Sequence, residues 1–159
     1  MVRMVAVAAF LLILLGCGRL NEETDQGPGE LSSSTVSSDG TAPTVAAVSP
    51  SFNQVDLGSF KVFTITFSEP MDSTSISFQN NGRGCGQAIR VQWIGASACE
   101  VIDTVASSDG KAFTFTLSES LGNTLTYTLT VTTDVTDQAG NALAFDYGGT
   151  WEIAGSGAN

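Results

Sequence analysis

Histidine is absent from the 159-residue chain, and with it goes a large part of enzyme chemistry. Ser/His and Cys/His nucleophile pairs, histidine-based zinc sites and the commonest general base at neutral pH all need an imidazole. Cations are scarce as well: six Lys and Arg stand against sixteen Asp and Glu, for a formal charge of −10. A chain this acidic lacks the basic face that nucleic acid demands and gains no electrostatic hold on anionic lipid. Charged residues make up only 14% of the sequence, and threonine and serine fill the polar positions instead. That composition suits strands whose outer faces are wet but uncharged. The length is that of one ordinary domain.

Long apolar runs are also missing. The apolar stretch at 5–15 follows Arg3 and ends at Gly16-Cys17. As a helix it would reach ~17 Å, well short of the ~30 Å hydrocarbon core of a bilayer. It reads as the h-region of a signal peptide. Leu14-Leu15-Gly16-Cys17 resembles the lipobox of bacterial lipoproteins. The resemblance implies cleavage after residue 16, a diacylglyceryl group on the Cys17 sulfur and acylation of the new amine. Two or three acyl chains anchor a protein stably where one does not. The alternative is ordinary secretion, with Cys17 discarded or left as a free thiol. Gly18 follows the cysteine where an aspartate would have marked inner-membrane retention, so an outer-membrane address is expected in a cell with two membranes.

The sequence then divides into a lipidated cysteine and tether at 17–42, a domain at 43–154 and a short flexible tail at 155–159. The tether is rich in Ser, Thr, Gly and acids and shows no helical or strand period, so it is expected to stay disordered. The domain alternates with period two almost throughout: Phe63, Ile65 and Phe67 against Thr64 and Thr66, Phe113, Phe115 and Leu117 against their threonines, and Leu125, Tyr127, Leu129 and Val131 likewise. Alternation of this kind means one buried and one wet face. Shorter strands are expected at 45–48, 89–94, 101–105 and 147–153, and Ser108-Asp109-Gly110 is a hairpin turn. The expected fold is all-β, a Greek-key sandwich of about seven strands.

Three stretches carry a family resemblance: APTVAAVSP at 42–50, ITFSEPMD at 65–72, and VTDQAGNAL at 135–143 followed by Trp151. Together they resemble the bacterial Ig-like domain of the SbsA type, found in S-layer and other surface proteins. The match runs over essentially the whole domain and departs from the family in the middle, where 79–101 is longer and carries Cys85 and Cys99. Each motif also has a local reason. Pro70 lacks a donor and ends its strand, Met71 folds back over the core edge, and Asp137 accepts N–H bonds within its own turn.

With Cys17 assigned to lipid, Cys85 and Cys99 remain, and in an exported protein they are expected to form a disulfide; two separate thiols are the alternative. In an Ig-like order, Glu69 and Asp72 share a pole with Asp134, Asp137, Asn141 and Asp146. Those last four form a candidate calcium cluster of hard oxygen ligands, or else simply a solvated acidic end. Trp93 and Trp151 read as core or rim residues, and NNGRG at 80–84 as a flexible polar loop that lacks the Lys-Ser/Thr of a phosphate-binding loop. Nothing points to the cleft that paired carboxylates such as Glu69 and Asp72 would need for glycoside hydrolysis. The sequence therefore describes a non-enzymatic, lipid-anchored envelope protein. Its expected partners are the membrane, through the anchor, and an envelope or extracellular protein or glycan, with no nucleic acid; a passive spacer or assembly component is the alternative. No cofactor is expected beyond the acyl chains and the candidate Ca²⁺.

Overall fold

A computed structural model of the chain describes residues 39–53, 60–81, 84–122 and 124–154. The signal peptide, Cys17, the tether up to residue 38, Gly82 and Arg83 of the polar loop, and the tail at 155–159 lie outside the described residues. Among the described residues there are seven strands and no helix: β1 (Val45–Ser49), β2 (Val62–Phe67), β3 (Ile89–Trp93), β4 (Ile102–Ser107), β5 (Ala112–Leu117), β6 (Thr126–Val131) and β7 (Tyr147–Glu152). They build an antiparallel sheet in the order β1-β2-β5-β4 and a second in the order β3-β6-β7. This is the strand order of a constant-type immunoglobulin sandwich.

Strand alternation decides which residues meet between the sheets. In β2, β5 and β6 every second residue is buried, and these supply Phe63, Ile65, Phe67, Phe113, Phe115, Leu117, Tyr127, Leu129 and Val131 to one core. The threonines between them face outward, where Thr64 and Thr114 join hydroxyls across the β2–β5 pair at 3.0 Å. Phe63 and Phe115 are cross-strand partners whose rings stack at 4.9 Å. Trp151 of β7 fills the centre, with Phe52, Phe60 and Phe63 around it at centroid distances of 5.2 to 5.6 Å. Phe52 lies directly over Gly149, where any side chain would collide with its ring.

Two local devices hold the corners. The Gly122 N–H donates to Tyr127 Oη at 2.8 Å, which ties the β5–β6 connection to the first turn of β6 as a tyrosine corner does. At the β4–β5 hairpin, Asp109 accepts the N–H groups of Lys111 and Ala112 at 2.9 Å, and Gly110 takes φ +72, a left-handed value that glycine adopts at no steric cost.

The long middle segment contributes two strands, β3 and β4, an even number, so the connections after β2 and before β7 emerge at one pole. The bridge between Met71 and Asp137 and the bond from Asp72 N–H to Thr136 C=O place them side by side. Residues 50–53, 94–101 and 118–122 cap the other pole.

Candidate functional site

The pole shared by the β2–β3 and β6–β7 connections gathers carboxylates, several of them held by their own local turns. Asp137 is only 2% exposed. Its Oδ1 accepts the N–H groups of Ala139 and Asn141, and its Oδ2 the Asn141 side-chain amide, all at 2.8 Å. Burial works to raise its pKa, but the hydrogen bonds from Asn141, Ala139 and Gly140 outweigh it and hold the group below the ordinary value of 3.8. Asp72 is likewise lowered by bonds from the Thr74 N–H and hydroxyl, both 2.8 Å.

Asp39 joins this pole from the sequence side of the tether. Its backbone carbonyl accepts from the Asn141 amide at 2.7 Å, and its side chain caps Thr41. Donor atoms of Asp39, Glu69 and Asp137 all lie within 4.8 Å of one another. Glu69 registers the crowding: burial, then repulsion from Asp39 and Asp137, push its pKa above the ordinary 4.5. Lys111 relieves this only in part, its ammonium being turned to the Ser68 carbonyl at 3.2 Å.

The four candidate calcium residues do not form one cluster. Asp137 and Asn141 are bonded to each other, whereas Asp134 accepts from the Thr132 hydroxyl at 3.0 Å and Asp146 from the Thr133 N–H at 2.8 Å. The trio that does converge contains Asp39 and Glu69 in place of Asp134 and Asp146. A hard cation there would find charge, but Asp137 already accepts three N–H bonds through its two oxygens, and three carboxylates alone fall short of the six to eight oxygens that Ca²⁺ takes unless several bind through both oxygens.

Cys85 and Cys99 are joined in a disulfide, with α-carbons 5.3 Å apart. The bridge straps the 94–101 connection to the chain ahead of β3, and the Arg90 guanidinium donates to the Cys85 carbonyl at 2.9 Å. Where β3 runs into this strapped loop, Trp93 is 40% and Ile94 54% exposed, and the two form its tip. The two tryptophans thus divide: Trp151 is core, Trp93 rim. The tip stands at the pole opposite Asp39, since Ile94 N–H bonds to Thr126 at the start of β6.

An antiparallel two-sheet sandwich in this strand order, with its corner tyrosine, defines an Ig-like domain. The bacterial Ig-like domain family matches residues 39–152, and the chain belongs to it. Among solved structures, the fold is similar to the S-layer protein rSbsC(31-844), at 20% identity and a TM-score of 0.49 over 72% of this chain. It is also similar to domains 1–6 of the surface layer protein SbsC, at 21% identity and 0.48 over 71%. The N-terminal part of the S-layer protein SbsC gives 20% identity and 0.48 over 70%. The chain spans only 14%, 14% and 24% of those three chains. No curated protein matches it.

Proposed function

We propose that the protein is an exported lipoprotein, anchored through Cys17, whose Ig-like domain serves as a non-enzymatic interaction module of the cell envelope. Membership of the bacterial Ig-like family supports a surface or structural role, and the lipobox at 14–17 supports the anchor. The observation that favours an interaction module over a passive spacer is the exposed Trp93–Ile94 tip. Apolar side chains displayed together on a braced loop cost solubility and are retained where a partner covers them.

The test uses full-length protein expressed in a bacterial envelope. Its membrane-purified form should carry acyl chains on Cys17, and Cys17→Ser should release it from the membrane. Cross-linking should recover a discrete envelope partner that the double variant Trp93→Ser, Ile94→Ser loses. Recovery of the same proteins by both forms, or of none by either, would return the domain to the spacer reading.

A further inference from the structure

The two open sides of the sandwich are closed differently. On one side residues 50–53 cross between the sheets, with Asn53 N–H bonded to Thr150 and Phe52 pressed on β7. On the other, residues 77–79 run between β3 and β4: Ile89 N–H bonds to Ser77, and Ile102 N–H to Gln79. That crossing reaches only the first residue of β4. Beyond it lies a groove of about 470 Å³ whose apolar lining is Ile76, Phe78, Val105 and Phe113.

The ladder shows what β4 offers along this groove. Phe67 N–H bonds to Lys111 and Leu117 N–H to Lys61, so the odd-numbered residues of β5 bond toward β2. Its even-numbered residues must bond toward β4, where Thr116 faces Thr104 and Thr114 faces Ala106. The N–H and C=O groups of Val105 therefore point away from β5, into the open edge, and no strand among the described residues meets them. Backbone groups left beside an apolar groove are the template on which a sheet accepts another strand. The bulge between Ile102 and Thr104 guards only the start of the edge.

Charge selects the occupant. Asp103 lies at one end of the groove. Ser73 and Ser107 line the other end, beside Asp72 and Asp109, which hydrogen bonds hold ionised. The nearby Lys111 is spent on the Ser68 carbonyl and Asp109. A second copy, with its own charge of −10, would meet repulsion here.

We propose that the β4 edge takes up an extended segment of a basic partner protein by strand addition. The added strand pairs with the Val105 backbone, sends two apolar side chains spaced two residues apart into the groove, and sets flanking lysine or arginine against the carboxylates at its ends. Main-chain bonds supply affinity and the alternate side chains specificity. This surface is independent of the Trp93–Ile94 tip, and either can fail without the other.

Full-length protein in detergent is titrated with a labelled, end-capped peptide of the sequence lysine-valine-threonine-valine-lysine, read by anisotropy. Saturable binding is expected, weakened at least about tenfold by Val105→Pro, which removes the outward donor while sparing the β4–β5 bonds. Val105→Lys, placing a charge in the groove, should act alike, and melting curves verify that both variants are folded. A glutamate-flanked peptide should bind more weakly at low salt, a difference that Asp103→Asn narrows. Absence of saturation, binding indifferent to both Val105 variants, or equal binding of the glutamate peptide overturns the proposal. A dimer in sedimentation that Val105→Pro dissociates would give the groove to a second copy and overturn it as well.

Discussion

The indole Nε1–H of Trp151 donates to the carbonyl oxygen of Pro50 at 2.9 Å, so the last strand of one sheet is bonded to the residue that closes the first strand of the other. Trp151 is fully buried and, among the described residues, is the one side chain touching three of the aromatic rings that fill this side of the core. Trp151→Phe deletes the donor and leaves a partial cavity, and should cost about 2–3 kcal/mol in urea unfolding. An unchanged midpoint would mean that the ring is a passenger.

Tyr127→Phe keeps the ring and removes only the oxygen that accepts the Gly122 N–H. A loss of about 1 kcal/mol with the same denaturant slope is expected. A changed slope would say that the β5–β6 corner has loosened the whole domain.

The Cys85–Cys99 bridge closes a loop with a sequence separation of 14. Reduction, or the double change to serine, should lower stability by about 3 kcal/mol in the chain-entropy account. The loss should be accompanied by faster proteolysis at 94–101 than elsewhere. Intact mass that does not change on reduction would dispose of the bridge itself.

Stability should pass through a maximum at weakly acidic pH. Asp72, Asp109 and Asp137 sit below their ordinary value of 3.8 in the fold. Their contribution is present above that value and is lost as pH falls through the folded values. Glu69, and Glu100 through burial, sit above 4.5, so the stability tied to their protonated forms is complete below 4.5 and drains away as pH rises through the folded values. Glu69→Gln should therefore raise Tm at pH 7 and leave it nearly unchanged at pH 4. The same gain at both values would refute the crowding of Glu69 by Asp39 and Asp137.

Millimolar Ca²⁺ should leave Tm where chelator leaves it, because a ligand selective for the folded state must stabilise it and Asp137, in the one trio that converges among the described residues, already accepts three N–H bonds. A rise abolished by Glu69→Gln would instead seat an ion among Asp39, Glu69 and Asp137.

Much of the architecture was legible because period-two alternation is a local property. Phe63 to Phe67 and Phe113 to Leu117 declare their buried faces without reference to any partner, and Asp137 declares its turn through Gly140 and Asn141. The pole shared by Asp72 and Asp137 also followed, given an even number of strands between them. What stayed hidden depends on contacts distant in sequence. Asp39 sits in a stretch with no periodicity, and only the reach of the Asn141 amide, 102 residues on, brings it beside Glu69. The groove is equally silent, since Ile76 and Phe78 belong to a segment without strand pattern, and its emptiness arises from where 77–79 stops along β4. The need for glycine at 149 is hidden as well, because it comes from Phe52, a ring delivered by the chain leaving the opposite sheet.

The Asn141–Asp39 bond and the Ile153–Leu125 bond fasten the two ends of the domain at opposite poles, with β1 and β7 both running from the first to the second. A pull applied between those ends would act along the strands and load the β1–β2 and β6–β7 ladders in shear. Many backbone bonds would then have to fail together instead of one after another, so such a pull would meet more resistance than one that unzips a ladder from its end.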